Sequence, residues 1–397
     1  MNQSNLEIIN LVDSSLTSLA KKGNLGYAEQ LYNPLNFFKL VHHISFDPDD
    51  KNIVLENPTI KVHTIKIIWR GIPVVKWIIN GLFALIQISQ IARKNKVCLI
   101  RGRGPYHASL LGLIVSKLLR IPFVVSVGTD TRLVSKLGME YPVFNSRFLS
   151  ETVERVVLRG ADKVICPTRY MKDYVASFGV PSEKAYLIPF RLKDEIFNFN
   201  YRESDILISK GINVDKPTIL CVARLEREKQ VDILVEAIPF VTEECPDMQT
   251  IFIGDGSLRA EMERRVAELG QEQNVYFLGY QPTEIVKYCL SIATAICVPM
   301  SGFVILEAAA ASKAIIAFDV EWHSEFIKDG ETGLLVENRN REKLAEAIKR
   351  LVKDPQLASQ LGKNARNLID VEYNPHTVAE KEIAELLKVI RKNAPHS

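Results

Sequence analysis

The stretch Pro299–Val336 reads PMSGFVILEAAAASKAIIAFDVEWHSEFIKDGETGLLV, and the rest of the chain is read outward from it. A Ser301-Gly302 turn leads into a helical segment with one acid, Glu307, then a small-residue tail Ala308 to Ala311, then an apolar strand Ala314 to Phe318. Unbonded amides and the dipole at a helix start attract an anion such as phosphate, and glycine lets a ligand approach the backbone closely. Glu307 falls about one turn along that helix, where a carboxylate accepts hydrogen bonds from sugar hydroxyls. A turn, a helix and a strand in this order belong to an α/β domain.

At 397 residues the chain is long enough for two domains, each with its own core. Its 47% hydrophobic and 24% charged content exclude collagenous, disordered and disulfide-scaffold classes. The six cysteines (98, 166, 221, 245, 289 and 297) lie in or beside apolar runs without C-x-x-C spacing, as expected of reduced, buried thiols in a cytoplasmic protein. The opening MNQSNLEIINLVDSS lacks the basic-then-apolar order of a secretory signal. Val74 to Ala92 is the nearest approach to a membrane span, but Lys76, Asn80, Gln87, Ser89 and Gln90 interrupt it, which points to a core or interfacial helix.

Net charge is only +3, yet no Asp or Glu occurs from Asn57 through Thr129. Lys61, Lys66, Arg70, Lys76, Arg93, Lys94, Lys96, Arg101, Arg103, Lys117 and Arg120 all fall there. Gathered on one surface, they would attract anionic lipid, phosphate or nucleic acid; spread over several faces, they are solvated charges.

Apolar runs alternate with helical patterns throughout. The first half places strands over Leu6 to Val12, Leu40 to Phe46, Val62 to Ile68, Val97 to Ile100, Phe123 to Val127, Lys163 to Cys166 and Ala185 to Ile188. Helical patterns lie near Pro73 to Arg93, Tyr106 to Leu119, Arg147 to Arg159 and Tyr170 to Phe178. After a polar stretch from Arg191 to Asp215, strands resume at Thr218 to Val222, Thr250 to Ile253, Val275 to Leu278, Thr294 to Val298, Ala314 to Phe318 and Gly333 to Val336. Their helices are Gln230 to Val241, Ser257 to Leu269, Thr283 to Leu290, Val304 to Ala311 and Arg341 to Lys353. This alternation predicts two parallel α/β domains, 1–195 and 196–375, facing one another across a cleft. A last helix in 376–397 either caps the second domain or packs back on the first.

Three turns at strand ends attract notice in the second half. Ala223-Arg224-Leu225-Glu226-Arg227-Glu228-Lys229 sets a guanidinium and an ammonium after a strand, where open α/β sheets bind ligands; a solvated basic turn is the plainer reading. Gly254-Asp255-Gly256 and Gly279-Tyr280-Gln281-Pro282 either touch a ligand or only turn the chain.

In order, ARLEREK, IFIGDGSL, VYFLGYQP, SGFVILEAA and EFIKDGETGLLV resemble family 4 of the glycosyltransferases, which have the GT-B fold. GADKVICPTRYMKDYVASFGVPSEKAYLIPF in the first half is similar to that family's segment leading into the hinge. The resemblance implies two Rossmann-like domains: an acceptor-binding first and a nucleotide-sugar-binding second. It implies that Arg224 and Lys229 bind the donor diphosphate, that Glu307 binds the ribose, and that Gly302, Phe303 and Val304 offer backbone amides. Gly254, Gly256, Gly279 and Tyr280 then border the donor. Gly23 in the first loop and Arg101, Arg103, His107 and Asp130 are acceptor-side candidates.

The chain also departs from the family. Members commonly carry two glutamates separated by seven residues, and Pro299 stands where the first would be. Many place a histidine after the strand corresponding to Phe123 to Val127, where this chain has Gly128-Thr129-Asp130. The implied chemistry is retaining transfer, in which leaving-group stabilisation by Arg224 and Lys229 matters more than a dedicated base. No metal or other cofactor is expected, only a nucleoside diphosphate sugar as co-substrate. The acceptor is a glycan or lipid-linked molecule of envelope or exopolysaccharide assembly, reached by peripheral contact with an anionic membrane at its cytoplasmic face; nucleic acid is not expected. A catalytically silent nucleotide-sugar-binding subunit and a sugar-nucleotide epimerase of the same fold are the alternatives. His323 is expected to pack or cap a turn beneath the donor site, and Asp47-Pro48-Asp49-Asp50 to lie in an exposed loop without binding metal.

Overall fold

Strands that are apolar on both sides need cover on both sides, and this chain supplies it twice. The computed structural model describes residues 5–21, 25–65, 73–136, 145–192, 205–300 and 302–393. It divides into two units, one of Met1–Ser135, Glu140–Arg191 and Pro375–Ser397, the other of Lys136–Met139 and Leu192–Asn374.

The first unit begins with β1 (Glu7–Val12), α1 (Leu16–Lys21), α2 (Leu25–Tyr32), β2 (Leu40–Ser45) and β3 (Ile60–Thr64). It continues with α3 (Pro73–Lys94), β4 (Leu99–Arg103), α4 (His107–Leu119), β5 (Phe123–Ser126) and α5 (Thr131–Lys136). Next come α6 (Arg147–Gly160), β6 (Lys163–Cys166), α7 (Arg169–Ala176) and β7 (Ala185–Leu187). The second unit contains α8 (Asp205–Ser209), β8 (Thr218–Val222), α9 (Asp232–Thr242), β9 (Gln249–Ile253), α10 (Arg259–Glu268) and β10 (Val275–Phe277). Then follow α11 (Thr283–Ile292), β11 (Ala295–Val298), α12 (Val304–Ala310), β12 (Ala314–Phe318), α13 (His323–Phe326) and β13 (Leu334–Val336). Three helices close the chain: α14 (Arg341–Lys353), α15 (Pro355–Glu372) and α16 (Pro375–Lys392).

Both sheets are parallel throughout, ordered β3-β2-β1-β4-β5-β6-β7 and β10-β9-β8-β11-β12-β13. The strands expected from the sequence all form, with shifted ends. The one placed over Val62 to Ile68 runs Ile60–Thr64, and residues 66–68 lie outside the described residues.

Alternation along the strands sorts the first core into two layers. Ile9, Leu11, Ile44, Ile100 and Val125 pack with Ala84, Ile88 and Ala92 of α3, Leu111 of α4 and Val157 of α6. Ile8, Val41, Leu99, Val124 and Ile165 meet Ala28 and Tyr32 of α2 and Val378, Leu386, Val389 and Ile390 of α16. The last helix therefore covers the second face of the first sheet. Buried charge fastens it there: Arg101 of β4, 1% exposed, pairs with Glu382, which lies 3.8 Å from Arg191, and Lys163 of β6 pairs with Glu385. Arg101, Arg103 and Arg191 also donate to the carbonyls of Leu31, Leu31 and Gln30 at the end of α2, where the helix dipole favours cations.

The sequence reading needs one correction and one addition. Asp50 is fully buried, because its carboxylate accepts from Ser15 Oγ, the Leu16 and Thr17 amides, Thr17 Oγ1 and Ser45 Oγ at 2.6–3.0 Å and so caps α1. The helix α15, absent from the sequence reading, begins where Asp354 accepts the Leu357 amide at 2.9 Å and buries Ala358, Leu361, Ala365 and Ile369. It lies so close that a side chain on Gly362 would stand 2.0 Å from the Ser312 carbonyl oxygen, and the small residues of α12 permit that approach.

Removing Glu382 strands a buried guanidinium, so Glu382→Ala should destabilise the chain by about 3–5 kcal/mol in urea unfolding. Glu151→Ala breaks partly exposed pairs with Arg132 and Arg147 and should cost less than about 1 kcal/mol. Equal losses would mean that the buried pair has no special role.

Candidate functional site

Each sheet reverses its winding once. In the first unit the chain moves outward from β1 through β2 to β3, then restarts at β4 on the other side of β1; in the second it does the same from β8, restarting at β11. At such a reversal the neighbouring turns leave in opposite directions, opening a crevice beyond the carboxyl ends of the strands. Arg224, Lys229, Gly302 and Glu307 lie on the turns at the second reversal; Arg101 and Arg103 lie toward the end of β4 and His107 just past it, beside the first.

In the second unit, β8 leads to Arg224 and a short 3-10 turn, Arg227–Lys229. Arg224 is half exposed and holds Glu228 at 2.6 Å. Lys229 is drawn below the ordinary lysine range by burial first and by the Arg224 charge second, while Glu321 and Glu228 oppose the shift. Across the reversal, β11 runs into buried Pro299 and Met300, then Gly302 and α12. The amides of Ile305, Leu306 and Glu307 bond back to Gly302 and Phe303, which places half-buried Glu307 in the first turn. Phe303 is 44% exposed beside it. Ser301 lies outside the described residues.

The glycines differ in what they require. A side chain at Gly254 would stand 1.9 Å from the Ala223 carbonyl oxygen, and one at Gly256 would stand 2.4 Å from that of Leu225. Gly254 also has a φ of +131° and its amide donates to Gly279 at 2.9 Å. Those two glycines let the turns after β8, β9 and β10 lie against one another. Gly279 has a φ of +69°, and the exposed Tyr280 donates to the Asp255 carbonyl at 3.4 Å. Gly302 is different, for a side chain there would meet only the Val304 amide at 3.9 Å. Its smallness answers no close contact with the described residues.

Behind this edge His323 is fully buried, with Nδ1 donating to the Phe318 carbonyl at 2.7 Å. Burial pushes its pKa down to about 4, so the ring is neutral and packs edge-on to Trp322.

The first unit separates its candidates. Arg101 is withdrawn from the acceptor set because Glu382 and the Leu31 carbonyl occupy its guanidinium. Arg103 is half-buried, donating to Leu31 with its guanidinium 5.6 Å from the Tyr32 ring. Asp130 accepts the Arg132 and Leu133 amides at 2.9 and 3.0 Å and the Tyr170 hydroxyl at 2.7 Å, which fixes the start of α5. His107 opens α4, half-buried and edge-on to Phe46, with its pKa lowered by burial. Gly128 is exposed with no atom near a would-be side chain. Gly23 lies outside the described residues. Sequence reading missed Asp13, just past β1, which accepts the Ala108 amide at 2.9 Å. Although its surface opens to solvent, the surrounding protein pushes its carboxyl up to about 6. The strand end beside β4 was the available signal.

Among the described residues no three His, Cys, Asp or Glu side chains cluster as metal ligands. No described helix is long and apolar enough to cross a membrane.

Residues 203–368 match the family described as "Glycosyl transferases group 1", and residues 41–190 match "Glycosyltransferase Family 4". The alpha-D-kanosaminyltransferase of Streptomyces kanamyceticus is 25% identical over 68% of this chain and 72% of its own length. The alpha-monoglucosyldiacylglycerol synthase of Acholeplasma laidlawii is 26% identical over 69% and 71%. Among solved structures, Anabaena HepE in complex with UDP covers 96% of this chain and 100% of its own with a TM-score of 0.74 at 19% identity, a likeness of fold.

A side chain at Gly254 meets backbone, whereas one at Gly302 meets open space. Gly254→Ala should therefore lower the melting temperature sharply, and Gly302→Ala should leave it within about a degree of the parent. Thermal unfolding of both variants decides this, and comparable losses would refute the distinction.

Proposed function

Because the chain belongs to family 4 of the glycosyltransferases, with the GT-B fold, we propose that it moves a sugar from a nucleoside diphosphate sugar to a glycan or lipid-linked acceptor, retaining the anomeric configuration. One observation carries the reading: Arg224 and Lys229 share the turn after β8, the strand that meets β11, which leads into α12, at the winding reversal of the second sheet. There the cations bind the diphosphate and neutralise charge that grows as the sugar bond breaks. They supply the positive charge that the leaving group needs, so the reaction as proposed uses no metal.

Glu307 accepts from the ribose hydroxyls, and the backbone at Gly302, Phe303 and Val304 borders phosphate and sugar. Gly279 and Tyr280 border the base, while Gly254 and Gly256 shape the edge. In the first unit Asp13, Arg103 and His107 at the corresponding reversal receive the acceptor. Both relatives are named for alpha products, which retention gives when the donor is itself alpha-linked.

The acceptor is reached at an anionic membrane surface on the cytoplasmic side. Ile78, Leu82, Phe83 and Ile86 form an exposed stripe along α3, opposite buried Ala84, Ile88 and Ala92. This is the pattern of a helix lying in an interface. Exposed Arg93, Lys94, Lys96, Lys117 and Arg120 lie toward the ends of α3 and α4, with exposed Leu118 among them. Arg101 and Arg103 face α2 instead and do not join them.

A thermal-shift screen of UDP, GDP, dTDP and ADP sugars should find one that raises the melting temperature. With that donor, Arg224→Ala should lower turnover by roughly a hundred- to a thousandfold, and Glu307→Gln should weaken donor binding about tenfold. Wild-type turnover in both would place the site elsewhere. Separately, the chain should sediment with phosphatidylglycerol vesicles at low salt and less so at high salt, and Leu82→Glu should abolish the effect. Indifference to such vesicles removes the membrane step while leaving the transferase reading intact.

A further inference from the structure

Two more helices lie on the same side of the first sheet as α3. Buried residues of α3, α4 and α6 enter one core over that face. The three are laid closely side by side: a side chain on Gly81 of α3 would meet Leu111 of α4 at 3.9 Å, and one on Gly160 of α6 would meet Leu113 of α4 at 2.6 Å. They form a single layer, α3-α4-α6, with one outer surface. On α6, Ser150, Glu154, Val157 and Leu158 are buried. On the opposite side of the helix stand Phe148, Leu149 and Val156, 77%, 40% and 49% exposed, with exposed Arg155 among them. Half-buried Ile114 and exposed Leu118, one turn apart, carry the apolar surface across α4 toward the stripe on α3. Single exposed apolar residues need no explanation, but a run of them across three adjacent helices marks a surface that is covered in use.

Charge decides what covers it. Neither α3 nor α4 contains an Asp or Glu. On α6, Glu154 is buried against Thr131 and Tyr174, and Glu151 is paired with Arg132 and Arg147. The outer surface is thus apolar in its middle, with Arg93, Lys94, Lys117 and Arg155 exposed on the same three helices. Two copies of such a face would set like charges opposite one another, whereas an anionic bilayer complements it.

We propose that α3, α4 and α6 dock flat on an anionic bilayer, with α6 as a second anchor beside α3. This rests on the membrane contact proposed above and extends it from one helix to a plane. In a parallel α/β unit the helices cover the face of the sheet, so a bilayer under this layer lies parallel to the sheet. The turn edge that carries Asp13 and His107 then stands at the rim of the contact, about 10 Å, one helix diameter, off the apolar surface. That height suits an acceptor that keeps its lipid tail in the bilayer.

The test uses the full chain with vesicles of phosphatidylglycerol or of phosphatidylcholine. Phe148→Glu should weaken sedimentation with the phosphatidylglycerol vesicles roughly tenfold. It should leave the fold intact, because residue 148 is exposed and an acid in the first turn of a helix suits the dipole. Val371→Glu, at an exposed apolar position on α15, should sediment like the parent. Separately, Leu82→Trp, Leu118→Trp and Phe148→Trp should each be quenched by brominated lipid, to a similar extent and beyond the parent. Quenching at 82 alone, with Phe148→Glu sedimenting like the parent, overturns the plane and leaves the single-helix contact standing. A lipid-free dimer that Phe148→Glu splits overturns it too, by making this face a contact between copies. A parent chain that ignores both kinds of vesicle removes the membrane reading and this inference together.

Discussion

Parallel alignment of the strands is the constraint on which everything else here depends. It sends every strand-to-helix turn out at one edge of each sheet, and a single reversal of winding spreads two of those turns apart. In the second unit these are the turns after β8 and β11, neighbouring strands, one turn carrying Arg224 and Lys229 and the other leading through Gly302 to Glu307. The tight glycines at 254 and 256 serve that edge by letting three turns share one surface. Chemistry at the edge thus rests on packing behind it.

The first unit meets a different demand. One face of its sheet is covered by α2 only in part until the last helix returns to it, and the return is secured by apolar contact along Leu386, Val389 and Ile390 and by charge buried at Arg101 and Lys163. Burying a guanidinium is tolerable only because Glu382 and the end of α2 answer it. The same pairing takes Arg101 out of ligand recognition. Basic residues in the acid-free stretch consequently divide, some tying the interior together and others left at the surface around α3 and α4.

Strands were legible because apolar runs of four to six residues between Gly, Pro and Asp have few other readings. Arg224, Lys229 and Glu307 were legible as candidates through their places after those strands and through the family motifs around them. Asp50 and Arg101 were not. Both look like surface charges in sequence, and each is buried by partners that sequence spacing does not reveal, Ser15 and Thr17 for the one and Glu382 for the other. Asp13 was overlooked because a lone acid after a strand has meaning only once β4 is known to lie beside β1.

The central claim is that the winding reversal of the second sheet is a nucleotide site. Hydrogen exchange of the full chain with UDP, GDP or ADP in excess addresses it directly. The account predicts that at least one of them slows exchange at residues 224–230 and 302–307, with little change in α3 or α16. Protection confined to the first unit, or none with any diphosphate, would contradict it.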